Sequence, residues 1–328
     1  SISAYVCSKL SNLKINKYLY YLVLFYYLIF PLNSLFPFVA TKDVLFSNFF
    51  FLLVFKLFEK AIEDDKIVRK DVLELVVIIV LVGLFRNNAI YALIATTPFF
   101  VFKSNQTRSK FFLVSFLIGS LLTLGLNFSY VPENNLKNYN PRISDYVKSN
   151  FTFKNDGNSK KDFLNLWLSV GKKNKKNYLD SFLMLSQGYW DPGFHFPDKY
   201  YKLPIIELWS KETVLGDTFH ESSKAPLVRE KIIYFFDNSQ GYKKLPYVSL
   251  LFSPGFVFWV ILLCFFYSVY IKAKKFYFIF FFLLMYYGTL ILGPVTLVRY
   301  AYPYILLWPT IFLTLFCYPV NSNKATKV

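Results

Sequence analysis

The chain has 328 residues, 55% of them hydrophobic and 21% aromatic, with 37 Lys and Arg against 20 Asp and Glu for a formal net charge of +17. Near-continuous apolar runs of roughly 15 to 25 residues exclude an ordinary soluble domain and point to a multi-pass membrane protein. Three cysteines, Cys7, Cys264 and Cys317, fall near the amino end and inside predicted spans, which excludes a disulfide framework or metal-ligand spacing in the polar middle.

Residue 1 is a serine, and the opening has neither an initiator methionine nor a charged-then-apolar signal pattern, so the sequence reads as part of a longer protein. In chain order the apolar runs place spans at 18–36, 44–60, 72–86, 88–103, 111–130, 247–270, 276–292 and 303–319. Basic residues in short connections stay cytoplasmic. With the amino end inside, 16 Lys and Arg fall on cytoplasmic connections and only Lys42, Arg86 and Arg299 on short external ones. The expected architecture is therefore an all-α integral membrane protein of about eight spans with both ends cytoplasmic. It divides into an N-terminal membrane region at 1–130, an extracytoplasmic segment at 131–245 and a C-terminal membrane region at 246–328. The positive charge is a topology signal, and nucleic acid is not an expected partner.

The run LELVVIIVLVGLFRNNAIYALIATTPFFVF reads either as one long tilted helix or as two short ones. Two are favoured, because a single crossing would put the basic connections 64–71 and 103–110 on opposite faces. Helices of about 15 residues are shorter than a hydrocarbon core of ~30 Å, which sinks Arg86, Asn87 and Asn88 at the hairpin tip to membrane depth. Polar backbone there needs burial by protein or a water-filled cavity.

Lys42, Arg86 and Arg299 thus share one outer face. Each alone reads equally well as a cation snorkelling to headgroups, but three together suggest a site. Guanidinium forks and ammonium groups suit phosphate oxygens, and the phosphate of a lipid carrier is the simplest ligand at that depth.

Segment 131–245 reads as mainly helical, with apolar residues at helical spacing in FLNLWLSV, YLDSFLMLSQGYW and KAPLVREKIIYFFDN. His195 and His220 lack companions at metal-ligand spacing, so no metal site is expected among these residues.

The motifs VATKDVLFSNFFFL, GLFRNNAIYALI, DFLNLWLSVGKKNKKNYLDSFLMLSQGYWDP and GPVTLVRYAYPY, in this order, resemble an uncharacterised group of bacterial multi-pass proteins similar to the GT-C class of polyprenyl-phosphate-sugar-dependent glycosyltransferases. The resemblance runs from about residue 30 to 310. It implies an enzyme of the bacterial plasma membrane that takes a hexosyl or pentosyl group from a polyprenyl-phosphate carrier and passes it to a cell-envelope glycan or lipid. Lys42, Arg86 and Arg299 would then contact the donor phosphate, Asn87 and Asn88 would belong to the same substrate site, and Tyr189, Trp190, Tyr300 and Tyr302 would line the sugar or lipid pocket. No organic cofactor is implied, and the class has both metal-dependent and metal-independent members. It usually carries an acidic base in a first external loop after a leading span, and the resemblance implies that this part, with the main base, belongs to a missing N-terminal stretch. Asp43 is the one short-loop external carboxylate; it reads as an acidic site residue or, equally, as an ion-pair partner that orients the loop. A flippase or transporter of a polyprenyl-linked saccharide, and an envelope polysaccharide polymerase or ligase, are the alternatives.

Overall fold

The computed structural model describes residues 2–12, 16–35, 42–62, 68–101, 107–130, 168–193, 244–245, 247–293 and 296–325, with isolated positions at 165, 227, 231 and 235. These are helical, with no strand among the described residues. The elements are α1 (Ile2–Asn12), α2 (Lys17–Ile29), α3 (Pro31–Leu35), α4 (Lys42–Ile62), α5 (Arg69–Phe85), α6 (Asn87–Val101), α7 (Thr107–Tyr130), α8 (Lys175–Trp190), α9 (Val248–Leu251), α10 (Pro254–Tyr270), α11 (Tyr277–Ile291) and α12 (Val298–Ala325). A 3₁₀ turn, Lys274–Phe276, leads into α11.

Among the described residues, each of the eight apolar runs is mainly helical. By length and composition, Lys274–Ile291 is the one stretch among the described residues long and apolar enough to cross a bilayer; Lys17–Ile29, Lys110–Leu126 and Pro254–Tyr270 are apolar but shorter. Charge sets the difference in α4, which carries Asp43 at its start and Lys56, Glu59 and Lys60 near its end. Between them VLFSNFFFLLVF is uncharged, so the charged ends of α4 stand about 20 Å apart at 1.5 Å per residue.

Arg86 divides the ambiguous run in two. Its backbone is extended (φ −150, ψ 113), its N–H ends α5 on the Val82 carbonyl, and its own carbonyl receives the Ala89 N–H as α6 begins. The α5–α7 contact fixes direction. Gly83 of α5 lies against Thr123 of α7, and Gly119 of α7 lies so close to Ile79 of α5 that a Cβ would overlap it. Pairing 79 with 119 and 83 with 123 makes α5 and α7 parallel, so α6 returns between them. Small residues let such backbones approach, as at helix contacts in membranes.

The core is aromatic. Phe50 packs against Phe282, Tyr286 and Tyr304, with centroids 5.5, 4.7 and 5.9 Å away. In α12, Pro309 has no N–H to offer the Ile305 carbonyl. Tyr26 of α2 replaces it, its hydroxyl donating to Ile305 O at 2.9 Å, while the Tyr27 hydroxyl donates to Leu306 O at 2.6 Å. Asn33 meets Tyr302, so α2 and α3 run antiparallel to α12.

Of segment 131–245, helical residues at 168–173 and α8 correspond to two of the three expected helices. The third lies mostly outside the described residues, as do His195 and His220. α8 packs on α10 and α11. The contact is close: a Cβ at Gly255 would stand 2.5 Å from the Asp191 carbonyl oxygen. This end of the segment is therefore seated on the C-terminal helices.

Tyr26→Phe keeps the ring and strands the Ile305 carbonyl, which is expected to destabilise the bundle by about 1–3 kcal/mol. Thermal unfolding in detergent checks this, with the exposed Tyr21→Phe expected to be neutral.

Candidate functional site

Three helix starts and one helix end meet at a single end of the bundle. Asp43 sits in the first turn of α4, Arg86 caps the C-terminus of α5 where α6 starts, and Arg299 sits in the first turn of α12. The sequence does this locally through short uncharged helices with a charge at the boundary. An acid at a helix start and a base at a helix end both suit the helix dipole, whereas Arg299 at a helix start opposes it.

Asp43 and Arg86 form the tightest pair. Arg86 Nη2 and Nε donate to the same oxygen, Asp43 Oδ1, at 2.9 and 3.1 Å. Both side chains are about nine-tenths buried. Arg86 Nη1 donates to the Tyr286 hydroxyl at 3.4 Å, and its guanidinium lies 4.0 Å from the Tyr300 ring centroid and 5.4 Å from that of Phe46. Stacking of this kind favours a planar guanidinium over an ammonium.

Arg299 is held more loosely. Its Nε lies 3.7 Å from Asp43 Oδ2, too far for a hydrogen bond, and that buried nitrogen has no hydrogen-bond partner. Nη2 reaches the Tyr300 hydroxyl at 3.4 Å, and the guanidinium stands 5.1 Å from the same ring that Arg86 covers. The side chain is 30% exposed. Two guanidiniums therefore share one carboxylate and one aromatic ring, leaving a positive charge unbalanced.

The structure thus joins Arg86 and Arg299, which are 213 positions apart by their numbers, with Asp43 as the link. The ion-pair reading of Asp43 is the one the geometry displays. Lys42, next to it, is exposed, as are Asn87 and Asn88 on the first turn of α6. Tyr300 lies between the arginines. Tyr189 and Tyr302 differ from the pocket-lining expectation: they are 1% and 3% exposed. Tyr302 donates to Asn33 Oδ1 at 3.3 Å and ties α3 to α12. The Tyr189 hydroxyl accepts the Leu297 N–H at 3.2 Å, and Thr296 donates to the Leu185 carbonyl at 2.9 Å. These bonds fix the turn that launches Arg299. Trp190, at the end of α8, donates to Ser186 Oγ at 3.3 Å and accepts at its carbonyl from Trp259 Nε1 at 2.7 Å.

Sequence reasoning missed Tyr286, Phe46 and Asn33. The signal for Tyr286 was a pair of hydroxyls, Tyr286 and Tyr287, inside an otherwise apolar helix. Its neighbour Tyr287 donates to the carbonyls of Tyr189 and Pro254 at 2.7 and 2.9 Å, joining α11 to α8 and α10. Among the described residues no group of three His, Cys, Asp or Glu side chains is arranged to hold a metal ion.

Residues 133–328, more than half of the chain, match a family of unknown function, DUF6020. The chain belongs to this family. No curated protein and no solved structure matches it. The matched DUF6020 region contains Tyr189, Trp190, Arg299, Tyr300 and Tyr302, whereas Lys42, Asp43, Arg86, Asn87 and Asn88 precede it. The region also spans segment 133–245 and the last helices as one unit, in keeping with the α8 contacts on α10 and α11.

Removing one partner of a buried ion pair strands the other. Arg86→Ala is expected to cost about 3–5 kcal/mol, and adding Asp43→Asn to recover part of that loss. Unfolding of the two single variants and the double variant measures the coupling.

Proposed function

We propose that this DUF6020 protein is a multi-pass membrane glycosyltransferase of the bacterial plasma membrane, crossing eight times with its described amino and carboxyl ends cytoplasmic. Its outward end would bind the phosphate of a polyprenyl-phosphate-sugar donor and pass the sugar to a cell-envelope glycan or lipid.

The membrane part of the reading is supported by what faces outward. Apolar side chains line the outer faces of α2 (Tyr18, Tyr21, Leu22, Phe25, Leu28, Ile29), α7 (Val114, Leu117, Ile118, Leu121, Leu122) and α10 (Trp259, Leu263, Phe266, Val269, Tyr270), each set at helical spacing and exposed. Water does not tolerate apolar surface of that extent on a monomer. Lipid does. The parallel α5 and α7, with α6 running back from one to the other, fit two short crossings whose connecting tip, Arg86, lies at the same end as Arg299.

The observation that carries the functional part is Arg299. A guanidinium in the first turn of a helix, set against the dipole, sharing its carboxylate with a better-placed arginine and holding an unpartnered Nε, calls for an anion. A phosphate monoester offers several acceptor oxygens and negative charge at that point. In the proposed transfer the bond between the anomeric carbon and the carrier phosphate oxygen breaks, the acceptor hydroxyl oxygen bonds that carbon, and the phosphate keeps the electron pair and takes up the hydroxyl proton. Arg299, with the exposed Lys42 that precedes its ion-pair partner Asp43, would meet that growing charge. Arg86 and Asp43 would hold Arg299 and Tyr300 in place. Asp43 Oδ1 already receives two donors from Arg86, so the role it fits is orienting the arginines.

Native mass spectrometry of the purified chain with polyprenyl phosphate tests the reading. Wild type is expected to retain the lipid, Arg299→Ala to lose it, and Arg299→Lys to bind at least tenfold more weakly, about 1.4 kcal/mol. Equal retention in all three would refute a phosphate site at Arg299. Bound carrier-linked sugar that is moved across a bilayer without release of free polyprenyl phosphate would replace transfer by transport.

A further inference from the structure

The opposite end of the bundle is basic in a different way. At this end the Phe58 ring of α4 meets Phe276 before α11 at 5.2 Å, and Phe112 of α7 meets Phe278 of α11 at 4.6 Å. Lys60 of α4 pairs with Asp71 of α5 at 3.1 Å. Because α2 runs antiparallel to α12, its start lies here too. These contacts collect six exposed cations at one end: Lys17, Arg69, Lys70, Lys110, Lys272 and Lys274.

The acidic side chains described nearby are already engaged. Glu59 faces Lys56 at 3.0 Å and Lys9 at 3.5 Å, Glu74 faces Lys56 at 3.0 Å, and Asp71 faces Lys60. The Val68 N–H donates to Asp71 Oδ2 at 2.9 Å. That bond first, and then Lys60, holds the Asp71 carboxyl below its ordinary value. The sequence of the 63–67 connection adds Glu63, Asp64, Asp65 and Lys66. Even so, the connections assigned to this face hold 16 Lys and Arg against six Asp and Glu, a net +10.

One of the cations stands beside an exposed tyrosine, and a second follows one closely in sequence. Lys17 Nζ lies 5.4 Å from the Tyr18 ring, and Tyr270, the last residue of α10, stands two positions before Lys272 in the turn that follows. Tyr18 and Tyr270 are 72% and 82% exposed, at the rim of the apolar faces of α2 and α10. An aromatic ring with a cation beyond it, at the edge of an apolar face, matches the chemistry of a headgroup layer.

We infer that this rim is a binding belt for anionic phospholipid headgroups, distinct from the carrier-phosphate site at the Arg299 end. The inference rests on the membrane reading above. Its chemistry is charge complementarity: each cation near an anionic leaflet contributes about 1 kcal/mol, a factor of about five in lipid preference. The apolar faces above the belt take the acyl chains. The three ion-paired acids explain why the belt's charge is not cancelled locally.

The test uses the full chain reconstituted in bilayers of equal phosphatidylcholine and phosphatidylglycerol, then released for native mass spectrometry. Wild type is expected to carry phosphatidylglycerol over phosphatidylcholine by about fivefold or more. Lys272→Glu/Lys274→Glu is expected to lose most of that preference, while Lys175→Glu/Lys176→Glu on α8, an equal charge change at exposed sites away from the rim, keeps it. Equal adducts of the two lipids in wild type, or equal loss in both variants, overturns the belt alone. A chain that carbonate strips from the bilayer overturns the membrane reading and the belt with it.

Discussion

The contact between Arg86 and Asp43 is the constraint on which the architecture turns. Two short apolar helices, α5 and α6, can meet at a polar tip inside an apolar bundle only if that tip is neutralised and hydrogen-bonded. Asp43 supplies the neutralisation from the first turn of α4, Tyr286 supplies a hydroxyl from α11, and Tyr300 supplies a ring from α12. One guanidinium thereby ties the α5–α6 tip to three further helices. The pair also explains why Arg299 is different: the carboxylate is already taken, so the second arginine is left with charge to spare.

The ends of the bundle carry charge and the middle carries rings. α4 is the clearest case, with Asp43 near one end, Lys56, Glu59 and Lys60 near the other, and Phe50, Phe51 and Phe55 buried between. At the Arg299 end the charges are few, and Arg86 and Arg299 are linked through one carboxylate. At the other they are many and outward-facing, with the described acids held in pairs beside them. That contrast fits two kinds of anion: a single phosphate received in a built site, and a headgroup layer met by a ring of mobile ammonium groups.

How much of this was legible in the sequence depends on the kind of signal. Hydropathy marks every helix among the described residues that the apolar runs predicted, because long apolar stretches have no other stable form when their backbone must bond internally. The break at Arg86 was legible through charge parity, and its extended backbone is the physical form of that break. The gathering of Arg86 and Arg299 at one end was legible as a shared face. Their meeting through Asp43 was not, because pairing depends on side-chain reach across helices that sequence spacing does not encode. Tyr189 and Tyr302 show the same limit. A tyrosine near a polar motif reads as a pocket wall, yet here the hydroxyls are used to satisfy Leu297 N–H and to reach Asn33, and both rings are buried. The hydroxyl that meets the Ile305 carbonyl, from Tyr26, lies 279 positions away and shows the same limit.

The central claim is that the unspent charge of Arg299 belongs to a lipid phosphate. The most direct measurement is the distance between guanidinium nitrogen and phosphorus, by solid-state ¹⁵N–³¹P recoupling on the arginine-labelled chain in bilayers that contain polyprenyl phosphate as their only phosphorus. A phosphorus within about 4 Å of an arginine nitrogen, a charge-assisted contact that disappears in Arg299→Lys, is the result this account predicts. An unchanged signal in Arg299→Lys, or no recoupling in wild type, would contradict it.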